Sequence, residues 1–420
     1  METEMNETVF ENGCKDGLRR DADAIVRASI KAVLPDEAVG RALKDFRRPA
    51  GRLVLVAAGK AAWQMANAAV RCVDVDDGIV VTKYDHVMED IPGVSCFEAG
   101  HPVPDSNGFD ATEKALGLVS GLTENDVVLF LLSGGGSALF EKPLIPGEEL
   151  QDITSQLLAA GADIVEMNTI RKRLSAVKGG RFALACAPAK VYSIVLSDIL
   201  GDPLDMIASG PAYPDGSTCE EAVRIAEKYS LRLSDSVRDL LRKETPKQLD
   251  NVTTVITGSV KELCKAAAEE CRRLGYETEI LTDRLDCEAS DAGRWLGDIA
   301  SENAGKGVKK AFIAGGETVV HLKGKGLGGR NQELALAAAP VIAGLDAAVF
   351  SFGSDGTDGP TDAAGGYVDG KTASELAGKG ISIEAVLADN DAYHALKAAD
   401  GLIMTGPTGT NVNDAAVVLV

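Results

Sequence analysis

Aromatic residues make up only 5% of this 420-residue chain, and proline is held to 15 positions against 45 glycines. So few aromatics with so many glycines points away from an all-β or disordered chain and toward an α/β protein with many tight strand-to-helix turns. No stretch approaches the roughly 18 uninterrupted apolar residues of a membrane span. The acidic start, Met1-Glu-Thr-Glu-Met-Asn-Glu, lacks the basic and apolar segments of an export signal, so a soluble, cytoplasmic protein is expected. Basic residues are in deficit, 43 Lys and Arg against 63 Asp and Glu for a net charge of −20, which disfavours nucleic-acid and anionic-membrane partners. The eight cysteines form no C-x-x-C pair and no zinc-like Cys/His spacing, as expected of reduced thiols.

The length allows one large core or two ordinary ones, two being the default. A helical period through Leu18, Ala22, Ile25, Val26, Ile30 and Val33 stops at Pro35. Short β-rich runs follow at Arg52–Ala57, Gly78–Thr82, Val94–Phe97, Val127–Leu132 and Val191–Leu196, separated by helix-like stretches. That is the pattern of a Rossmann-like, doubly wound parallel sheet. The charged helical stretch Cys219–Leu249 reads as a bridge to a second domain. A second series starts at Thr253–Thr257 and passes through Tyr276–Leu281, Ala311–Ala314, Thr318–Leu322, Ala347–Phe352 and Leu402–Met404 to Ala415–Val420. The expected organisation is a Rossmann-like domain over residues 1–240 and a C-terminal α/β domain over 241–420.

Several strand ends empty into polar, glycine-rich turns. Val127–Leu132 gives way to Ser133-Gly134-Gly135-Gly136-Ser137, where three glycines let main-chain N–H groups approach an anion and two serines add hydroxyls. The loop lacks the Lys-Ser/Thr ending of a Walker motif, so cations from elsewhere must complete it. Lys60 sits at a helix start, where the macrodipole disfavours a cation, and so either projects into solvent or answers an anionic ligand. The densest basic cluster holds Arg171, Lys172, Arg173, Lys178 and Arg181 behind Asn168. Taken as one helix, it puts Arg171, Ser175 and Lys178 on one face and ends at Gly179-Gly180. Ser197, Asp198 and Asp202 follow the next strand, where either carboxylate is placed to hold Mg2+ through water or to accept a hydroxyl proton. The second half repeats the theme with Gly315-Gly316-Glu317-Thr318, with Arg330-Asn331 opening a helix behind two glycines, and with Ser354-Asp355-Gly356, which lacks EF-hand spacing. Each segment also has an ordinary reading as a turn or a solvated charged face.

In this order, Ser133-Gly-Gly-Gly-Ser137, Asn168-Thr-Ile-Arg171-Lys172, Lys178-Gly-Gly-Arg181, Ser197-Asp198, Ser209-Gly-Pro211, Gly315-Gly-Glu317-Thr318, Gly329-Arg-Asn-Gln-Glu333, Ser354-Asp-Gly-Thr-Asp-Gly359 and Gly406-Pro-Thr-Gly-Thr-Asn411 resemble the glycerate 2-kinases whose C-terminal half is called the MOFRL domain. The resemblance spans roughly residues 20–415. It implies ATP- and Mg2+-dependent phosphorylation of D-glycerate, usually to 2-phosphoglycerate, in a cleft between a Rossmann-like and a MOFRL-type α/β domain. It also implies Lys60 and Arg330 as the catalytic charge stabilisers. Substrate or nucleotide-phosphate contacts would then come from Ser133, Gly134, Gly135, Gly136, Ser137, Asn168, Arg171, Lys178, Ser197, Asp198, Glu317, Asn331 and Asp355, with Asp198 or Asp202 meeting Mg2+. The expected partners are D-glycerate and ATP, and a homo-oligomer is left open. An NAD(P)H-dependent hydroxypyruvate reductase is the alternative on the same carbon skeleton. It is disfavoured because no strand precedes a G-x-G-x-x-G with an acidic residue about twenty positions on. A non-catalytic sugar-phosphate-binding protein would keep the anion loop but not need both cations.

Overall fold

Alternation along the strands of the first half generates two cores. Val54, Val56, Val128, Phe130 and Leu132 bury on one face of their sheet, while Leu53, Leu55, Leu129, Leu131 and Ile194 bury on the other. A sheet apolar on both faces must be covered by helices on both, the requirement of a doubly wound fold. The computed structural model describes residues 17–201 and 203–420, so Asp202 lies outside the described residues. Its first sheet contains β1 (Leu53–Ala58), β2 (Asp77–Lys83), β3 (Val94–Ala99), β4 (Val127–Leu132), β5 (Lys190–Leu196) and β6 (Val252–Gly258). The order is β3-β2-β1-β4-β5-β6, and the β3–β2, β2–β1, β1–β4 and β4–β5 pairings are parallel.

The second sheet is mixed. It contains β7 (Glu277–Leu285), β8 (Lys310–Gly316), β9 (Ala348–Gly353), β10 (Gly365–Asp369), β11 (Leu402–Ile403) and β12 (Asp414–Leu419), in the order β11-β10-β9-β12-β8-β7. β7 and β8 are parallel, while β12 runs antiparallel to both β8 and β9. Among the described residues no helix is long and apolar enough to cross a membrane, and seven cysteines are free thiols.

The chain divides into Ala38–Thr257 and a discontinuous unit joining the residues up to Glu37 to Gly258–Val420, which differs from a split at residue 240. The physical reason lies in three sets of contacts. The helix Gly17–Val33 is tied to the C-terminal part: Tyr276 Oη donates to Asp21 Oδ2 at 2.9 Å, Arg19 Nη2 to the Leu402 carbonyl at 2.8 Å, and Thr410 Oγ1 to the Val33 carbonyl at 3.0 Å. The stretch 219–249 is not a bridge. Its helices Cys219–Lys228 and Asp235–Leu241 lay Ala222, Val237 and Leu241 into a cluster with Ile153, Leu157 and Ile170. The chain then returns to the first sheet as β6 instead of opening the second. Thr318–Leu322 forms no strand beyond a single bridge from Val319 to Glu288, and β10 is an antiparallel strand that the apolar pattern does not announce.

Candidate active site

The order β3-β2-β1-β4-β5-β6 changes winding direction between β1 and β4, and open α/β sheets bind ligands beyond the carboxyl ends of their strands at such a point. Both glycine-bearing loops of the first half meet there. Lys60 N donates to the Gly134 carbonyl at 2.9 Å, Ser133 N to the Ala58 carbonyl at 3.0 Å, and Ala61 N to Ser133 Oγ at 3.1 Å. The last bond satisfies the backbone at Ala61, the cap of helix Ala62–Cys72, which has no capping side chain of its own. The Lys60 side chain is exposed, and its ammonium has neither a hydrogen-bond nor an ion-pair partner among the described residues.

Glycine is required in this loop for stated contacts. A Cβ on Gly134 would lie 2.2 Å from Asp198 Oδ2. Gly135, at φ +83°, would place one 3.1 Å from the His101 ring and 3.1 Å from Lys60 Cγ. Asp198 is thereby set against the loop from the end of β5. Ser197 is buried and bonds locally with Ile199.

Behind the loop, Ser137 Oγ lies 3.1 Å from Ser209 Oγ, which donates to Asn168 Oδ1 at 2.9 Å. Arg171 Nη2 donates to the Ser137 carbonyl at 3.0 Å, and its Nε is buried without a partner. Burial pulls the Arg171 guanidinium below its ordinary value, with Glu141 acting in opposition.

The basic cluster is not a single helix. A capping box at Asp163 and Glu166 starts the helix Ile164–Arg173, the backbone leaves helical geometry at Leu174, and Gly180 at φ +84° instead begins the helix Arg181–Cys186. Arg171, Ser175 and Lys178 therefore share no helical face. Lys172 and Arg173 are buried, reaching Asp215 at 3.1 and 3.7 Å. Lys178 is fully buried, 2.8 Å from Glu141 and donating to the Phe140 carbonyl at 3.1 Å, with burial pushing its ammonium down to about 8. Such a lysine is already committed to a partner inside the protein.

In the other unit, register brings three segments together. Asp414, the first residue of β12, pairs with Gly316 at the end of β8 and with Gly353 at the end of β9. Arg330, the first residue of helix Arg330–Ala338, donates to Asp414 from Nε at 2.6 Å and to Glu317 from Nη1 at 2.7 Å. Burial works against the Arg330 charge, but Asp414 and Glu317 outweigh it and raise the guanidinium. Asp414 is itself pushed up by burial, against the pull of Arg330. Asp358 caps the helix, accepting from Asn331 N at 3.1 Å and Gln332 N at 2.8 Å, and burial pushes it up to about 6. Asn331 is turned inward, bonded to Asp358 and accepting from Ser351 Oγ at 2.6 Å. Asp355 accepts from Thr357 N at 3.0 Å.

Three residues at these sites escape a reading of motifs. His101 carries no signal beyond its place just after a strand, Ser209 shows only as part of a Ser-Gly-Pro turn, and Asp414 is an acid at the head of the apolar run Ala415–Val420.

Comparison with known proteins bears on the whole chain. Residues 21–242 match a domain of unknown function (DUF4147), and residues 310–414 match the MOFRL family. The chain is 51% identical to a D-glycerate 2-kinase of Thermotoga maritima, covering 96% of this chain and 99% of that one. It is 42% identical to a glycerate 2-kinase of Pyrococcus horikoshii, covering 96% of each. The crystal structure of the Thermotoga maritima glycerate kinase superposes with a TM-score of 0.93 at 51% identity, over 97% of this chain and all of that one. With both family segments, the switch-point loops and near full-length similarity in agreement, the chain belongs to the glycerate 2-kinase family of phosphotransferases that carry the MOFRL domain.

Proposed function

We propose that this chain transfers a phosphoryl group from ATP, with Mg2+, to the 2-hydroxyl of D-glycerate, and that Lys60 and Arg330 stabilise the charge on the transferring group. The observation that carries the reading is the unpartnered ammonium of Lys60 beside the Ser133–Ser137 loop at the switch point of the first sheet. Phosphoryl transfer asks little covalent chemistry of a protein; it asks for positioned cations and hydrogen-bond donors.

The residues present fit a magnesium nucleotide. The loop is a cradle that a Cβ at Gly134 would fill, and the Asp198 carboxylate lies at its edge. Among the described residues the only cluster able to offer three protein ligands is Cys219, Glu220 and Glu244, none of which belongs to this loop. One carboxylate from the protein is enough for Mg2+, which is commonly held by one or two carboxylates together with substrate phosphates and water. Bound there, the metal would neutralise charge on donor phosphate oxygens. Ser137 offers a hydroxyl to a phosphate or carboxylate oxygen, held in place by Ser209 and by the Arg171 bond to its carbonyl. Lys60 brings a mobile point charge that reaches an anion without first breaking an internal pair.

The test is a purified-protein assay with D-glycerate, ATP and Mg2+, in which phosphorus NMR resolves 2- from 3-phosphoglycerate, run beside hydroxypyruvate with NADH. Glycerate-dependent ADP formation with a 2-phosphoglycerate signal is expected. NADH consumption without ADP formation overturns the proposal.

A further inference from the structure

Resting on the kinase reading above, we infer that His101 is the group that takes the proton from the glycerate hydroxyl as it is phosphorylated. β3 is parallel to β2, β2 to β1 and β1 to β4, so the chain leaving β3 at Ala99 emerges on the same edge of the sheet as Lys60 and Ser133. The turn that follows is tightly held. A Cβ on Gly100 would lie 2.6 Å from the Val103 carbonyl oxygen and 2.9 Å from Asp105 Oδ2. Asp105 in turn caps the helix Ser106–Val119 through Gly108 N at 3.0 Å and accepts from Tyr84 Oη at 2.6 Å. His101 thus stands on a short, braced connection, as a positioned acid or base requires.

The ring faces the phosphate loop. A Cβ on Gly135 would fall 3.1 Å from both Cδ2 and Nε2 of His101 and 3.1 Å from Lys60 Cγ, so the edge bearing Nε2 and the lysine stem flank the same point of the loop. His101 is half-buried, and neither ring nitrogen has a hydrogen-bond partner among the described residues. The other three histidines are all occupied: His86 Nδ1 lies 3.1 Å from the Tyr84 carbonyl oxygen, His321 Nδ1 2.6 Å from Glu288 and His394 Nδ1 2.6 Å from Asp391. A half-buried imidazole with open nitrogens beside this loop is accessible to a bound hydroxyl as well as to water.

The charged groups that face it are Lys60 and Lys83, with His86 beyond. Burial first, and these cations next, hold the imidazole below its ordinary value, so it is neutral at pH 7 and ready to accept a proton. In the step itself, the glycerate hydroxyl oxygen forms a bond to the γ-phosphorus of ATP. The bond from that phosphorus to the bridging oxygen breaks and its electron pair leaves with ADP. The hydroxyl proton passes to Nε2 of His101 and then to solvent.

The experiment compares the native protein with His101→Gln and His101→Asn. Both variants are expected to lose kcat by about 10²–10³-fold, the usual share of a general base, with KM for ATP within about twofold of native. The native kcat/KM falls on the acid side at a pH below the ordinary imidazole range, and that limb flattens in the variants. A variant that turns over near the native rate, or keeps the acid limb, overturns the proposal. With only four histidines in the chain, the native imidazole resonances can also be followed by NMR and assigned by elimination with His86→Gln, His321→Gln and His394→Gln. The His101 signal is expected to titrate below the ordinary imidazole range and to shift when D-glycerate and a non-hydrolysable ATP analogue are added. An unmoved signal overturns the proposal even if the His101 variants fail to fold. If native protein forms no ADP in response to glycerate, the kinase reading falls, and this inference with it.

Discussion

Arg330 and Asp414 form a fork-to-fork pair, Nε to Oδ2 at 2.6 Å and Nη2 to Oδ1 at 3.2 Å, and the remaining terminal nitrogen reaches Glu317 at 2.7 Å. Two carboxylates share one cation. Glu317 is the partner that can let go, because its side chain is 46% exposed while that of Asp414 is 10% exposed. If Arg330 meets an anionic substrate, as proposed, the substrate reaches its charge by displacing Glu317. Glu317→Gln is expected to lower KM for one anionic substrate by about two- to fivefold, since an exposed ion pair is worth up to about 1 kcal/mol. Steady-state kinetics with either substrate varied checks this, and unchanged KM values for both would leave Arg330 a purely structural residue.

Arg330→Ala carries two separable losses. Turnover is expected to fall by about 10²–10³-fold, the usual cost of removing a charge stabiliser. Stability is expected to fall by about 1–3 kcal/mol, because Asp414 is left buried and unpaired, discounted for the partial exposure of the arginine. Arg330→Ala with Asp414→Asn should recover much of the stability in a denaturant melt without recovering turnover. Recovery of both would remove Arg330 from the chemistry.

Lys60→Ala gives the cleanest contrast. Its ammonium has no partner among the described residues, so the melt should stay within about 0.5 kcal/mol of native, as for other surface substitutions. Turnover should nonetheless fall by about 10²–10⁴-fold in the coupled assay. Active Lys60→Ala protein would leave the loop without its cation and the proposed site without its main support.

Gly134→Ala tests the cradle. The added methyl falls 2.2 Å from Asp198 Oδ2, too close for any real contact, so Asp198 must move. The expected result is weaker Mg2+ binding, measured as a several-fold rise in the Mg2+ concentration giving half-maximal rate. A native Mg2+ profile would separate Asp198 from the metal.

Asp358 makes a pH signature in the other unit. Burial raises it to about 6, above the unfolded value near 3.9, so the folded state holds a proton there that the unfolded state has already released. Its contribution to stability is complete below about pH 3.9 and is lost as pH rises through about 6, a change on the order of 2–3 kcal/mol. Asp358→Asn keeps an oxygen acceptor for the helix cap and should remove that part of the pH dependence. Melts at pH 4 and pH 7 decide it.

The strand ends were legible because a strand buried on both faces is an unbroken apolar run, and Val127–Leu132 stops where Ser133 begins. Which strand ends are neighbours was not. Lys60 and Gly134 meet because β1 pairs with β4, a relation between residues more than seventy apart that no local pattern records. The helical period across Arg171 and Lys178 runs in the sequence past the point where the backbone turns at Leu174. The cations there answer Asp215 and Glu141, whose positions in space emerge only with the tertiary fold. Val252–Gly258 has the same apolar character whichever sheet it joins, and the amphipathic stripe of Gly17–Val33 does not name its partner.

The placement of β12 matters for how the chain matures. It comes last among the described strands yet sits in the interior of its sheet, bonded to β8 on one side and β9 on the other. During synthesis the six strands of the first sheet are all available by Gly258, whereas the second sheet waits for its middle piece. A polypeptide released before Asp414 would hold a finished half and a split one, with Arg330 facing Glu317 alone. The second sheet therefore closes only once β12 has been made, and a chain that stops before Asp414 presents quality control with an exposed, half-paired sheet.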